Sequence, residues 1–238
     1  MLMGRFLEVG IATRNIAASV SFYERLGLWQ LTAGDTWSHP YGVLTDGRLV
    51  IGLHQRSQPE LSISFVRPGL ASHLQELRSR GISPHYTRLG EEDFHELQLH
   101  DPTGQSVTLL EARTYSPSDN GGGRSLCGYF SALSLPALDF DTAQAFWDHA
   151  GFLPHEPQEA PYPHLLLGGE RMNLALHRPR FFDAPLLVFE LDDAATQLAQ
   201  LRDRGFSFSS ELPRNLPADS NALLESPDGT YLLLSAAR

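Results

Sequence analysis

The chain repeats itself, and the repeat limits the fold more than any other feature. FYERLG at Phe22–Gly27 returns as FWDHAG at Phe146–Gly151, a shift of 124 residues. GLHQ (Gly52–Gln55) returns as ALHR (Ala175–Arg178), LQELRSRG (Leu74–Gly81) as LAQLRDRG (Leu198–Gly205), and DPTG (Asp101–Gly104) as SPDG (Ser226–Gly229). Four echoes in one order at nearly one offset mean two copies of one design. Positions in the two halves can therefore be compared directly.

The length of 238 residues suits two units of ordinary domain size. The polar, glycine-rich stretch SPSDNGGGRS (Ser116–Ser125) falls where the repeat needs a boundary and reads as a flexible join. The expected division is a first domain over 1–115, a linker over 116–127 and a second domain over 128–238.

Bulk properties exclude some classes of function. Twenty-eight acidic against eighteen basic side chains give a net charge of −10. A nucleic-acid backbone needs a positive surface, so no nucleic-acid partner is expected. No apolar run is long enough to span a bilayer, and no membrane partner is expected. The start MLMGRF lacks the charged, apolar, then small-residue order of a secretion signal, and Cys127 has no second cysteine to pair with. The expected location is the cytoplasm. Cys127 reads as a small buried hydrophobe rather than a nucleophile.

Within each unit the order strand, helix, three strands is expected twice. FLEVGIAT leads to a helix capped by Asn15, with Ile16, Val20 and Tyr23 on one face and Gly27 as its stop. LSISFV leads to a helix carrying Leu70, Leu74 and Leu77 and closed by Gly81. Helices around Thr142–Ala150 and Ala194–Arg204, stopped by Gly151 and Gly205, repeat the scheme.

This arrangement, with EVGIATRNIAASVSFYERLGL near the start and HDPTGQSVTLLEA closing the first unit, resembles the vicinal oxygen chelate superfamily. That group includes glyoxalase I, bleomycin- and fosfomycin-resistance proteins and extradiol dioxygenases. The fold implied is α+β: four βαβββ modules paired into two tandem glyoxalase-like domains, each curling its strands into a cup with helices outside. The scaffold is shared while the chemistry differs, so activity has to come from the residues of the site.

Strand alternation then sorts side chains. Val9, Ile11, Leu49, Ile51, Leu53, Ile63, Phe65, Val107 and Leu109 should pack on the helices. Glu8, Gly52, His54, Ser62, Ser64 and Thr108 should face the first cup. In the second unit the inward positions hold Ala132, Ser134, Ala175, His177, Leu186, Val188, Tyr231 and Leu233. The first cup is small and polar, the second greasy apart from His177 and Ser134.

By the resemblance, metal-using members take one ligand from each of four inward positions. These are Glu8, Gly52, Ser62 and Thr108 in the first unit, and Ala132, Ala175, Leu186 and Leu233 in the second. One carboxylate among residues with weak donors or none is too few for a divalent ion. No metal or other cofactor is expected. The alternative is a divalent ion in a non-standard geometry formed by Glu8, His54 and His100.

A carboxylate facing inward costs free energy unless it is paired or wet, and His54 is the nearest partner for Glu8. Such a pair suits acid–base work, so Glu8 and His54 are the catalytic candidates. The plain alternative is a solvated glutamate and a core histidine, and the echo His177 favours a scaffold role for the latter. Trp37, His39 and Tyr41 share one strand parity and, with Ser62, Thr108 and His177, form the ligand-binding candidates. Trp29, Tyr86 and Phe94 are further rings, and for any single ring ordinary core packing is the preferred explanation.

Three readings follow. The first is a metal-independent binder of a small, partly aromatic molecule, similar to the bleomycin-resistance branch. The second is a lyase, isomerase or dioxygenase-type enzyme using Glu8 and His54, with or without an unusual metal. The third is a scaffold with filled cups that acts through protein contacts. The tandem repeat suits a monomer with an internal pseudo-twofold, or a homodimer of such chains.

Overall fold

The structure is a computed structural model that describes residues 3–32, 39–58, 60–91, 94–112 and 125–237. In the first unit β1 (Arg5–Thr13) leads to α1 (Ile16–Arg25) and strands β2 (Trp29–Leu31), β3 (Tyr41–Thr45) and β4 (Val50–Gln55). β5 (Leu61–Arg67) leads to α2 (Leu70–Ser79), then β6 (Tyr86–Arg88), β7 (Glu96–His100) and β8 (Ser106–Glu111). The strands form one sheet in the order β2-β3-β4-β1-β5-β8-β7-β6. The two modules join where β1 pairs antiparallel with β5.

The second unit opens with β9 (Tyr129–Pro136), α3 (Phe140–Ala150), β10 (Leu153–Pro154), β11 (His164–Gly168) and β12 (Leu174–His177). β13 (Leu186–Leu191), α4 (Ala194–Asp203), β14 (Asn221–Glu225) and β15 (Tyr231–Ala236) complete it. Its order, β10-β11-β12-β9-β13-β15-β14, matches the first sheet except at the last edge. The expected third strand after α4 does not form among the described residues. That segment carries Pro213 and Pro217, which lack the N–H a ladder needs, and it turns instead through a loop whose Leu216 is buried.

Local signals explain the helices. Asn15, Asp139 and Asp193 accept from the backbone N–H three residues on, at 3.1 Å each. α2 begins at Gly69, which has no capping side chain, and Glu111 accepts from the N–H groups of Gly69 and Leu70 instead. Gly27 and Gly151 stop their helices at φ 96° and 98°, values only glycine adopts cheaply.

The expected outward residues, among them Val9, Ile51, Ile63, Phe65 and Val107, are buried in one apolar core that both units share. The junction is reciprocal. The Arg25 guanidinium donates to the Arg204 carbonyl at 2.7 Å and that of Arg204 to the Arg25 carbonyl at 3.4 Å. Trp147 Nε1 donates to Asp101 Oδ2 at 2.9 Å across the join. Its repeat mate Tyr23 is equally buried beside the Ser226–Thr230 turn, although its hydroxyl closes no hydrogen bond of good geometry. The end of the expected linker is not loose. Leu126 N–H donates to the Leu26 carbonyl at 2.8 Å, and Cys127 is buried with its thiol pushed up to about 12 by desolvation. Residues 116–124 lie outside the described residues.

Candidate functional site: two unlike cups

In the first unit Glu8 lies on the concave face of β1, next to a register shift between Phe6 and Glu8. It is fully buried. Its carboxylate lies over Gly52 of β4, where an added Cβ would fall within 2.2 to 2.4 Å of the carboxylate atoms. Glycine at 52 therefore makes the carboxylate's seat.

Three side chains hold it there. His54 Nε2 is 3.0 Å from Glu8 Oε1, and the Tyr41 hydroxyl donates to Glu8 Oε2. His39 Nε2 lies 2.9 Å from His54 Nδ1. The register explains the convergence, since β3 pairs Tyr41 with His54 while β4 runs parallel to β1. With Glu8 ionised, one proton assignment satisfies every atom. His39 Nε2–H donates to His54 Nδ1, His54 Nε2–H donates to Glu8, and Tyr41 O–H donates to Glu8. Burial and then the neighbouring His54 ring hold His39 below the usual imidazole range. The Tyr41 and His39 rings sit 4.8 and 5.2 Å from the His54 ring. Serines and a threonine line the rest of the cup. Ser64 pairs with both Glu8 and Thr108, and Ser62 sits beside Gly10, with its Oγ 2.5 Å from where a Cβ there would stand.

The second cup is built differently. The position of Glu8 is taken by Ala132, and that of Gly52 by Ala175. His177 is fully buried, with Nδ1 2.8 Å from Ser134 Oγ and Nε2 2.9 Å from the Phe182 carbonyl. The Tyr162 hydroxyl donates to Ser134 Oγ at 3.0 Å. Desolvation lowers His177 to about 4, so it is neutral near pH 7. Tyr162, Phe182, Leu186, Val188, Leu216, Leu223 and Leu233 fill one end as an apolar cluster. A pocket of about 190 Å³ remains at the other end, bordered by Tyr162, His164, Gln158 and Glu190.

Several expectations need correction. His177, expected to touch a ligand, is a core residue with both nitrogens occupied, as its place in an apolar cup requires. His100 does not approach Glu8; it is exposed at the far side of β8, stacked on His85 at 4.3 Å. Tyr86 and Phe94 are exposed at 41% and 38%, and Trp29 lies against the Gly47 turn rather than in a cup. Of the two inward serines, Ser64 pairs with Glu8 and Ser62 with Gly10. In the second unit the residue facing Ala132 is Val188, not Leu186. Trp37 lies outside the described residues. Two features escaped the sequence reading: Tyr41 as a donor to Glu8, and Gly52 as the seat beneath it. The parity of Tyr41 opposite His54 was the available signal for the first.

The donor set does not fit a divalent metal of the kind the resemblance implies. The four positions of the second unit are Ala132, Ala175, Val188 and Leu233, which have no donor atoms. In the first, Glu8 has both oxygens engaged and His54 both nitrogens, beside glycine, serine and threonine. Among the described residues, no three His, Cys, Asp or Glu side chains converge as a metal-holding group.

The fold is shared with dioxygenases and a glyoxalase of known structure. Over 99% of its length the chain is similar to the crystal structure of a catechol 2,3-dioxygenase, at 16% identity, a TM-score of 0.62 and 88% of that chain. The 2,3-dioxygenase LapB from Pseudomonas sp. KL28 matches over 100% of this chain and 94% of its own, at 13% identity and a TM-score of 0.63. An Mn(II)-bound glyoxalase from Novosphingobium aromaticivorans matches over 98% and 82%, at 12% identity and a TM-score of 0.59. No protein-family model and no curated protein sequence matches the chain.

Proposed function

We propose that the protein binds a small, partly aromatic molecule in the first cup without a metal. One observation carries this reading: a fully buried carboxylate, Glu8, is held at the base of a polar cup by Tyr41 and His54. Burying an ionised carboxylate is unfavourable unless donors compensate, so a site that retains one has a recognition task for it. A ligand O–H or N–H is the natural guest, with the tyrosine and histidine rings beside it. The second cup offers less, because its own side chains occupy much of it. Reciprocal contacts at the junction support a monomer in which the second unit supplies the place of a partner, and the net charge of −10 fits a small-molecule ligand better than a nucleic acid.

The test is a thermal-shift and calorimetric screen of phenols and heteroaromatics, catechol included, on protein stripped with chelator. A hit should lose at least roughly tenfold in affinity in Glu8→Gln and in His54→Ala, as expected when a charge-assisted hydrogen bond is removed. Unchanged affinity in both variants ends the reading.

A second reading has its own support. The chain His39, His54, Glu8 connects a buried carboxylate to an outer imidazole, an arrangement that moves a proton on or off a bound molecule. It favours a lyase or isomerase. The similar folds of ring-cleaving dioxygenases extend this reading to oxygen chemistry. Turnover of a screening hit, or oxygen consumption with catechol, that is lost in Glu8→Gln would favour the enzyme over the binder.

A further inference from the structure

A cleft of about 420 Å³ lies between the two units, lined by neither Glu8 nor His54 and touching the second cup's pocket only at Ser131. Its walls come in repeat-related pairs. Phe6 faces it from β1 and Phe130 from β9; Arg48 enters from the turn before β4 and Arg171 from the turn before β12. The cleft therefore straddles the internal pseudo-twofold, which brings two arginines to one opening that a single unit would not have.

Both guanidinium groups keep N–H donors for a ligand. Arg48 lies 4.7 Å above the Tyr129 ring, a contact that leaves its N–H edge available. Asp46, the nearest acid in its turn, is directed at the backbone N–H groups of Arg48 and Leu49. Among the described residues, neither Arg48 nor Arg171 closes an ion pair. The pairing is incomplete: Leu7 is matched by Ser131, Val50 by Asn173 and Gly47 by Glu170, and the last of these alone changes the charge. Two arginines and one glutamate leave the opening a single net positive charge in a protein whose overall charge is −10. One excess charge matches a monoanion better than a dianion, and the two phenylalanines add an apolar wall.

We infer that this inter-unit cleft is a second ligand site, which binds an organic monocarboxylate with an apolar body. The carboxylate meets Arg48 and Arg171, planar donor forks suited to it, and the body lies along Phe6 and Phe130. Glu170 rejects a second negative charge.

Isothermal titration of the full chain with sodium benzoate at low ionic strength tests the site, with inorganic phosphate as comparator. Benzoate should bind, and phosphate should bind more weakly. Arg48→Ala and Arg171→Ala should each cost roughly tenfold in benzoate affinity, the usual scale for a charge-assisted contact, and Glu170→Gln should raise it. These are exposed side chains, and unchanged melting temperatures will show that the variants fold. Glu8→Gln should leave benzoate binding untouched, which separates this site from the first cup. Absence of benzoate binding, full binding in an Arg48→Ala/Arg171→Ala double variant, phosphate binding as tight as benzoate, or loss of binding in Glu8→Gln would each overturn the inference.

Discussion

The two cups have one topology and opposite interiors. In the first, a carboxylate rests over a glycine and collects donors from a tyrosine and a histidine. In the second, alanines replace both the carboxylate and the glycine, and a loop in place of an edge strand adds Leu216 to an apolar plug. The shared histidine shows what this does to chemistry. His54 is tied to Glu8, whereas His177 is tied to a serine and a backbone carbonyl and is held neutral. The same residue type at the same strand position thus belongs to a site in one half and to the core in the other. Neighbours decide the role, not the fold.

Four tests, using six substitutions, probe this contrast. The largest effect is expected in the second cup. Leu233→Ala should lower unfolding free energy by about 2–5 kcal/mol, as for other buried leucines, measured by denaturant titration. Thr108→Val in the first cup should cost far less, since it keeps the side-chain volume and opens no cavity. A cost as large as that of Leu233→Ala would show the first cup to be core as well.

Next is the histidine contrast. With His177 lowered to about 4 against 6.5 when unfolded, the unfolded chain binds the extra proton as pH falls through that interval. Stability should therefore be full above about pH 6.5 and decline towards pH 4, by up to roughly 3 kcal/mol from this group. His177→Gln should flatten that slope. A slope unchanged by the substitution would mean that His177 is not the buried neutral group described.

Gly52→Ala should then displace Glu8 from its seat and abolish ligand binding in the first cup, because the new Cβ would overlap the carboxylate. The mirror change, Ala175→Gly, should cost only about 1 kcal/mol of stability, a strand-glycine effect, and leave the first cup intact. The smallest effect belongs to Tyr41→Phe. It removes one of two donors to Glu8 and should weaken binding or stability by about 1 kcal/mol.

Much of this was legible in the chain. The repeat, the glycine helix stops, the Asn15 cap and strand parity give the modules and the sorting of Val9, Ile51 and Phe65 to the helix side. The contact between Glu8 and His54 was legible too, because both lie on inward positions of neighbouring strands. What was hidden has physical causes. That Ser64 rather than Ser62 pairs with Glu8 is a matter of strand register, and a slip of two residues leaves the hydrophobic alternation unchanged. The loss of a strand after α4 follows from two prolines whose effect depends on ladder position. The fate of His177 rests on Tyr162 and Phe182, which reach it from loops and strand ends that periodicity does not locate. The cleft pairing Arg48 with Arg171 depends on how the units dock, which the repeat announces only as a symmetry.

Glu8 accepts from protein donors, and the reading proposed above has it bind no metal. Equilibrium dialysis of the chelator-stripped protein against Fe(II), Mn(II) and Zn(II), with elemental analysis, tests it most directly. Well under one tightly held ion per chain is expected, with the same residual level in Glu8→Gln. One ion per chain, lost in Glu8→Gln, would contradict it.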